Sequence, residues 1–154
     1  VPRVEAVAER MATSWGGVEA AIVDVGNPHC VVFVDDERDY PVEVHGRELE
    51  RHARFPARAN VEFVALRDGD LHMRVWERRV GETAACGTGA CAAAVAALRT
   101  GRASAPGTSG PAMNVVLLGG TLRIAIDPAG EVLMTGPCED RGPLQLPANA
   151  EGNA

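Results

Sequence analysis

The chain has 154 residues and a mass of 16.2 kDa, with 46% hydrophobic and 23% charged residues. That is the balance of a single folded domain and excludes a chain disordered over most of its length. Its formal charge is −6 and all 15 basic residues are Arg. An acidic chain without basic blocks is a poor partner for nucleic acid or an anionic membrane surface. The longest strictly apolar run, nine residues from Ala90 to Leu98, is far short of the ~20 that a membrane span needs. No charged start followed by an apolar stretch marks a signal peptide behind Val1. A chain that begins with Val is expected to be processed or to be a piece of something longer. Cys30, Cys86, Cys91 and Cys138 show neither C-x-x-C nor zinc-finger spacing, so neither a disulfide framework nor a metal site is expected, and the chain reads as reduced and cytoplasmic.

In chain order, residues 1–17 are weakly patterned; Val4, Val7, Ala8 and Met11 suggest a short helix or a lead-in segment. Residues 20–25 read as a strand stopped by Gly26-Asn27-Pro28, and residues 30–34 as a second apolar strand. A surface helix is predicted over 44–53, closed by Pro56. Residues 60–66 and 71–77 alternate in hydropathy about the turn Arg67-Asp68-Gly69-Asp70 and predict an antiparallel hairpin. After a loop over 78–85, Gly87-Thr88-Gly89 leads into the Ala-rich run 90–98, a strong helix former without a polar face and therefore a buried helix. Arg99, Gly101 and Arg102 suit its end. A Ser/Gly/Pro loop over 103–111 precedes strands at 115–118, 121–126 and 131–134, and the tail after Pro143 is expected to fray. Seven or so short strands and one helix buried on all sides predict an α+β fold: an antiparallel or mixed sheet rolled as a half-barrel around a central helix. The predicted organisation is a lead-in at 1–19, one lobe at 20–143 and a polar tail at 144–154.

The segment with chemical content is Glu77 to Cys91. Cys86 stands immediately before the helix entry. The unpaired N–H groups of a helix start carry about half a positive charge, which favours a thiolate or a bound carboxylate there. Cys86 is therefore a candidate for a lowered pKa and a nucleophile or base. Gly87 and Gly89 are expected to let a ligand approach the backbone. A cysteine merely packed at a helix start is the alternative reading of equal weight. Cys91 in the apolar helix and Cys30 in an apolar strand read as structural, and Cys138 has no supporting context. Asn27 before Pro28 reads as turn chemistry, Asn60 equally as a turn residue or a ligand-facing amide, His29 as a packed residue or the partner of a site, and Glu77-Arg78 as a solvated pair or a clamp for an amino-acid head group.

Taken together, Gly-Asn-Pro-His-Cys-Val (26–31), Phe-Pro-Ala-Arg-Ala-Asn-Val-Glu-Phe (55–63), Val-Trp-Glu-Arg-Arg-Val-Gly-Glu-Thr (75–83), Ala-Cys-Gly-Thr-Gly-Ala-Cys-Ala (85–92) and Met-Thr-Gly-Pro (134–137) resemble the motifs of the C-terminal half of the diaminopimelate epimerase family, in order and at compatible spacing. The resemblance runs from about Ala20 to Pro137, and the combination is specific, although Cys-Gly-Thr-Gly alone fits the wider racemase superfamily. It implies a cofactor-independent epimerase of LL- and meso-diaminopimelate, in which two cysteines face the substrate α-carbon from opposite sides. Carried over, Cys86 is one acid/base cysteine. Gly87 and Thr88 match positions that bind the substrate α-carboxylate, and Asn27, Asn60, Glu77 and Arg78 match further substrate-binding positions. His29 and Glu77 match residues that tune the thiols.

Two departures stand out. Arg79 occupies a position that is Gly in the family, which is expected to affect the loop before Cys86. The family's first half, with its own cysteine in an Asn-Gly-Cys-Gly-Asn-like helix start, has no counterpart here. The implied partners are thus a missing N-terminal lobe and the small-molecule substrate, with a homodimer as the complete enzyme. A lobe of a proline racemase or hydroxyproline epimerase and a non-catalytic binding lobe are the alternatives; a thiol-redox role is weakened by the absence of a C-x-x-C pair.

Overall fold

β1 (Ala6–Thr13) and β2 (Gly16–Asp24) form an antiparallel hairpin around the Ser14-Trp15 turn. The computed structural model describes residues 6–103, 112–140 and 142; the predicted 103–111 loop, from residue 104 to 111, and the tail from residue 143 lie outside them. From residue 6 on, the hairpin replaces the short helix suggested there, and residues 1–5, with Val4, lie outside the described residues. The helix-like spacing of Val7, Ala8 and Met11 arises on an edge strand where only Met11 is fully buried and Val7 is half exposed. Gly16, at φ +123°, closes the turn in a conformation that favours glycine.

β3 (Pro28–Phe33) pairs antiparallel with β2. The chain then crosses the outer face of the sheet through α1 (Val42–Glu50) and returns in β4 (Asn60–Arg67), parallel to β3. β5 (Asp70–Glu77) makes the predicted hairpin with β4, and the region read as a loop contains a short strand, β6 (Gly81–Thr83), on β5. α2 (Gly87–Arg99) follows. It leads to β7 (Ala112–Leu117), parallel to β5, and then to β8 (Gly120–Ile126) and β9 (Val132–Thr135), which are antiparallel. The sheet among the described residues is mixed and runs β1-β2-β3-β4-β5-β7-β8-β9, with β6 off this path. β1 and β9 each have one neighbour, so the sheet is not closed.

α2 lies inside this roll and packs against strands from β1 round to β9. Ala90, Ala92, Ala93, Ala94, Ala96 and Ala97 are all buried; only side chains this small let one helix approach a surrounding sheet on several sides. The helix ends in Thr100 with Gly101 at φ +70°, where Arg102 N donates to Ala97 O (2.9 Å) and Gly101 N to Leu98 O (3.2 Å). This αL stop satisfies two carbonyls that the helix would otherwise leave bare. The expected α+β half-barrel around a buried helix is thus the observed fold. A second core, built on Val42, Leu49, Phe55, Val61 and Phe63, fills the opposite face of the sheet beneath α1.

Candidate active site

Cys86 is the N-cap of α2, with extended backbone (φ −140°, ψ 110°), and its Sγ accepts a hydrogen bond from Gly89 N at 3.4 Å. This is the capping geometry that a hydroxyl or carboxylate usually supplies. Thr88 Oγ1 lies 3.6 Å from the same sulfur. The helix end does not lower the thiol on balance. Burial pushes the Cys86 pKa up; the contacts from Thr88 and Gly89 pull it down, and the negative charges of Glu62 and Glu77 push it up again. The expectation of a lowered value is therefore corrected: desolvation of the charged form outweighs the helix start.

A chain of polar groups runs from the sulfur into the protein. Thr88 Oγ1 lies 3.5 Å from Asn27 Nδ2, Asn27 Oδ1 is 3.1 Å from His29 Nε2, and His29 Nδ1 is 2.6 Å from Glu62 Oε1. The strands dictate this assembly. His29 on β3 stands beside Asn60 on the parallel β4, so His29, Val31, Glu62 and Val64 all point to the helix side of the sheet. His29 and Glu62 are completely buried, and His29 reaches the thiol only through Asn27 and Thr88. Glu62 lies within the 55–63 motif; alternation alone places Val61 and Phe63 on the core side and Glu62 toward solvent, whereas both faces of β4 are covered.

Asn60, Glu77 and Arg78 form a second group. Asn60 Oδ1 accepts from Arg78 N at 2.9 Å, and its Nδ2 donates to Pro28 O at 3.4 Å. Glu77 Oε1 accepts from Thr83 Oγ1 at 2.5 Å and lies near enough to act on the Cys86 thiol. Asn60 thus ties the Arg78 turn to the strand that carries His29. Arg79, where the resembling motif has Gly, adopts φ +66°. The turn keeps the shape a glycine would give it, with Arg79 N donating to Glu50 Oε1 at 2.8 Å.

The glycines of the helix entry serve the protein's own side chains. A Cβ on Gly89 would stand 2.8 Å from Glu62 Oε1, and one on Gly87 3.1 Å from the Met134 sulfur. Gly89 is buried and its missing Cβ leaves room for Glu62, whereas Gly87 is half-buried beside the exposed Met134. Among the described residues the surface at the helix start is open: Ala84, Ala85, Thr88 and Met134 are exposed around Cys86. Two clefts of about 510 Å³ and 480 Å³ lie elsewhere, one beside Arg99 and Arg102 at the far end of α2 and one over Arg38 and His72. Cys30 is buried among side chains of the outer core, Cys91 lies within α2 and Cys138 is exposed beyond β9. No cluster of three or more His, Cys, Asp or Glu suited to a metal ion occurs among the described residues.

Comparison with known proteins bears on the family and the fold. The family model described as diaminopimelate epimerase matches residues 21–139. The chain is 48% identical to the diaminopimelate epimerase of Leptospira biflexa over 119 residues, 77% of this chain and 40% of that protein. It is 48% identical to that of Halorhodospira halophila over 147 residues, 93% of this chain and 49% of the relative. A hydroxyproline epimerase from Agrobacterium vitis, solved with bound trans-4-hydroxy-L-proline, shares the fold at a TM-score of 0.61 and 17% identity, covering 85% of this chain and 45% of that one. The chain therefore spans about half the length, or less, of the relatives it matches.

Proposed function

Since the chain belongs to the diaminopimelate epimerase family, we propose that it is the C-terminal lobe of a cofactor-independent epimerase that interconverts LL- and meso-diaminopimelate, precursors of lysine and cell wall. The observation that carries this reading is Cys86 at the N-cap of α2, on an open shelf, with Thr88 and Asn27 beside it. In this reading the free N–H groups of Gly87 and Thr88 receive the substrate α-carboxylate, and Cys86 faces the α-carbon from one side. A cysteine of the absent lobe faces it from the other. One sulfur takes the α-proton as the other gives one, and the helix start stabilises the carbanion between them. Burial lifts the Cys86 thiol above its ordinary value. Asn27, Asn60 and Arg78 supply donors for the remaining carboxylate, and Glu77 a partner for an ammonium. His29 and Glu77 tune the thiols. The partners are the second lobe and the small-molecule substrate; the complete enzyme is a cytoplasmic homodimer.

The test joins this chain to the first lobe of a family relative and follows conversion of LL- to meso-diaminopimelate. Cys86→Ser is expected to lower turnover by about 100-fold or more, the scale of a lost acid/base group, with the fold intact by circular dichroism. Cys30→Ala and Cys91→Ala are expected to act on melting temperature and to leave the rate near normal. Near-normal turnover in Cys86→Ser would overturn the assignment.

A further inference from the structure

We propose that Glu50, on the opposite side of the sheet from Cys86, is a positioning residue that sets the two turns presenting Asn60 and Arg78. The proposal rests on the reading above for what those two side chains bind.

Glu50 is the last residue of α1 and is 2% exposed. A buried carboxylate must collect donors to be tolerated. Glu50 collects three, from three places in the chain. Trp76 Nε1 donates to its Oε2 at 3.0 Å; Arg79 N at 2.8 Å and Arg58 Nη1 at 3.2 Å donate to its Oε1. Burial raises its pKa, and these donors outweigh burial and hold it below the usual carboxylate range. The carboxylate is thus the charged acceptor its geometry requires.

What Glu50 holds is strained and adjacent to the site. Arg58 and Arg79 have left-handed backbones, φ +65° and +66°, a conformation unfavourable for a residue with a side chain, which persists only when its surroundings enforce it. Asn60 comes two residues after the first, and Arg78 immediately before the second. The two turns meet where Asn60 Oδ1 accepts from Arg78 N. Ala59 N also donates to Glu50 O at 3.3 Å, so both the main chain and the side chain of Glu50 fasten the 58–60 turn. Nothing else among the described contacts joins Arg58 to Arg79. The segments also touch directly, through Asn60 Oδ1 and through Arg78 Nη1, which donates to Ala57 O at 3.5 Å; the Glu50 carboxylate adds the tie between the two left-handed residues behind these contacts.

The 154-residue chain, labelled with 15N, gives a direct test by two-dimensional amide spectra. In Glu50→Ala the Arg78 amide and the Asn60 side-chain amide should shift or broaden, while the Gly87 and Thr88 amides at the start of α2 stay in place. Glu50→Gln, which keeps the volume and one acceptor, should show the same pattern more weakly and serves if the alanine variant does not fold. Unmoved Asn60 and Arg78 signals, or equal disturbance throughout the chain, would overturn the proposal. In the two-lobed enzyme, Glu50→Gln should raise KM several-fold with kcat changed less than twofold, the split that a loss of overall stability does not produce. If Asn60→Ala and Arg78→Ala raise KM and Glu50→Gln does not, the proposal fails and the site reading stands. If none of the three raises KM, the site reading itself fails.

Discussion

Cys86 carries two opposed influences, and their balance has a measurable consequence. A helix N-cap favours a thiolate, yet burial of the sulfur beside Glu62 and Glu77 raises its pKa. The rate of Cys86 alkylation by iodoacetamide, read peptide by peptide by mass spectrometry, should rise through an inflection above the ordinary thiol value of about 8.5. Thr88→Ala removes a contact that favours the thiolate, so it should move the inflection further up. An inflection below pH 8 in the unaltered chain would show that the helix start wins. The residue itself was legible in the sequence, because a cysteine before Gly-x-Gly and an apolar run marks a helix cap. The sign of its shift was not, since burial and the nearness of Glu62 are properties of the assembled sheet. Glu50 was hidden for the same reason: it lies in a charged stretch that reads as a solvated helix, and only packing of α1 against Trp76 shows that it is buried.

At the level of elements, α2 and β4 are matched to one another through Gly89. Exchanging glycine for alanine within a helix is ordinarily favourable by about 1 kcal/mol. Here the added Cβ would stand 2.8 Å from Glu62 Oε1 and 3.3 Å from Cys86 Sγ. Glu62 is fully buried and held by His29 at 2.6 Å, so its carboxylate cannot swing aside as an exposed one would. Gly89→Ala should therefore destabilise the chain by about 1–3 kcal/mol, the usual cost of overpacking, in equilibrium urea unfolding. A gain in stability would show that the carboxylate gives way. The element pattern explains what could be read and what could not. β4, β5 and α2 have strong periodicity or uniform apolarity and were expected where they stand. β1 has one fully buried residue and imitates a helix. β6 is three residues long and shows no period. The parallel pairings of β3 with β4 and β5 with β7 follow from crossovers through α1 and α2, on which local hydropathy is silent.

Among the described residues the sheet wraps α2 and leaves the surface around the start of that helix exposed, and on the proposed reading this limits what the chain can do unaided. Inverting a carbon centre requires a proton to leave one face and another to arrive at the opposite face. On the proposed reading Cys86 supplies one face only. Cys30 lies in the core on the other side of the sheet, Cys91 is within α2, and Cys138 is exposed after β9. None of these three thiols stands across from Cys86, and the exposed Ala84, Ala85 and Met134 around it form the kind of surface that a second lobe would cover. The purified 154-residue chain, shown to be folded by circular dichroism, should accordingly give no interconversion of LL- and meso-diaminopimelate by chiral chromatography. Addition of a first lobe from a family relative should restore it. Any binding by the chain alone is expected to be weak, because half of the donors that a dicarboxylate, diamino substrate requires would still be water. Turnover by the chain alone, with contaminating enzyme excluded by the loss of that turnover in Cys86→Ser, would mean that two copies of this lobe can face one another across the substrate or that water serves as the second acid. Either result would replace the half-site reading.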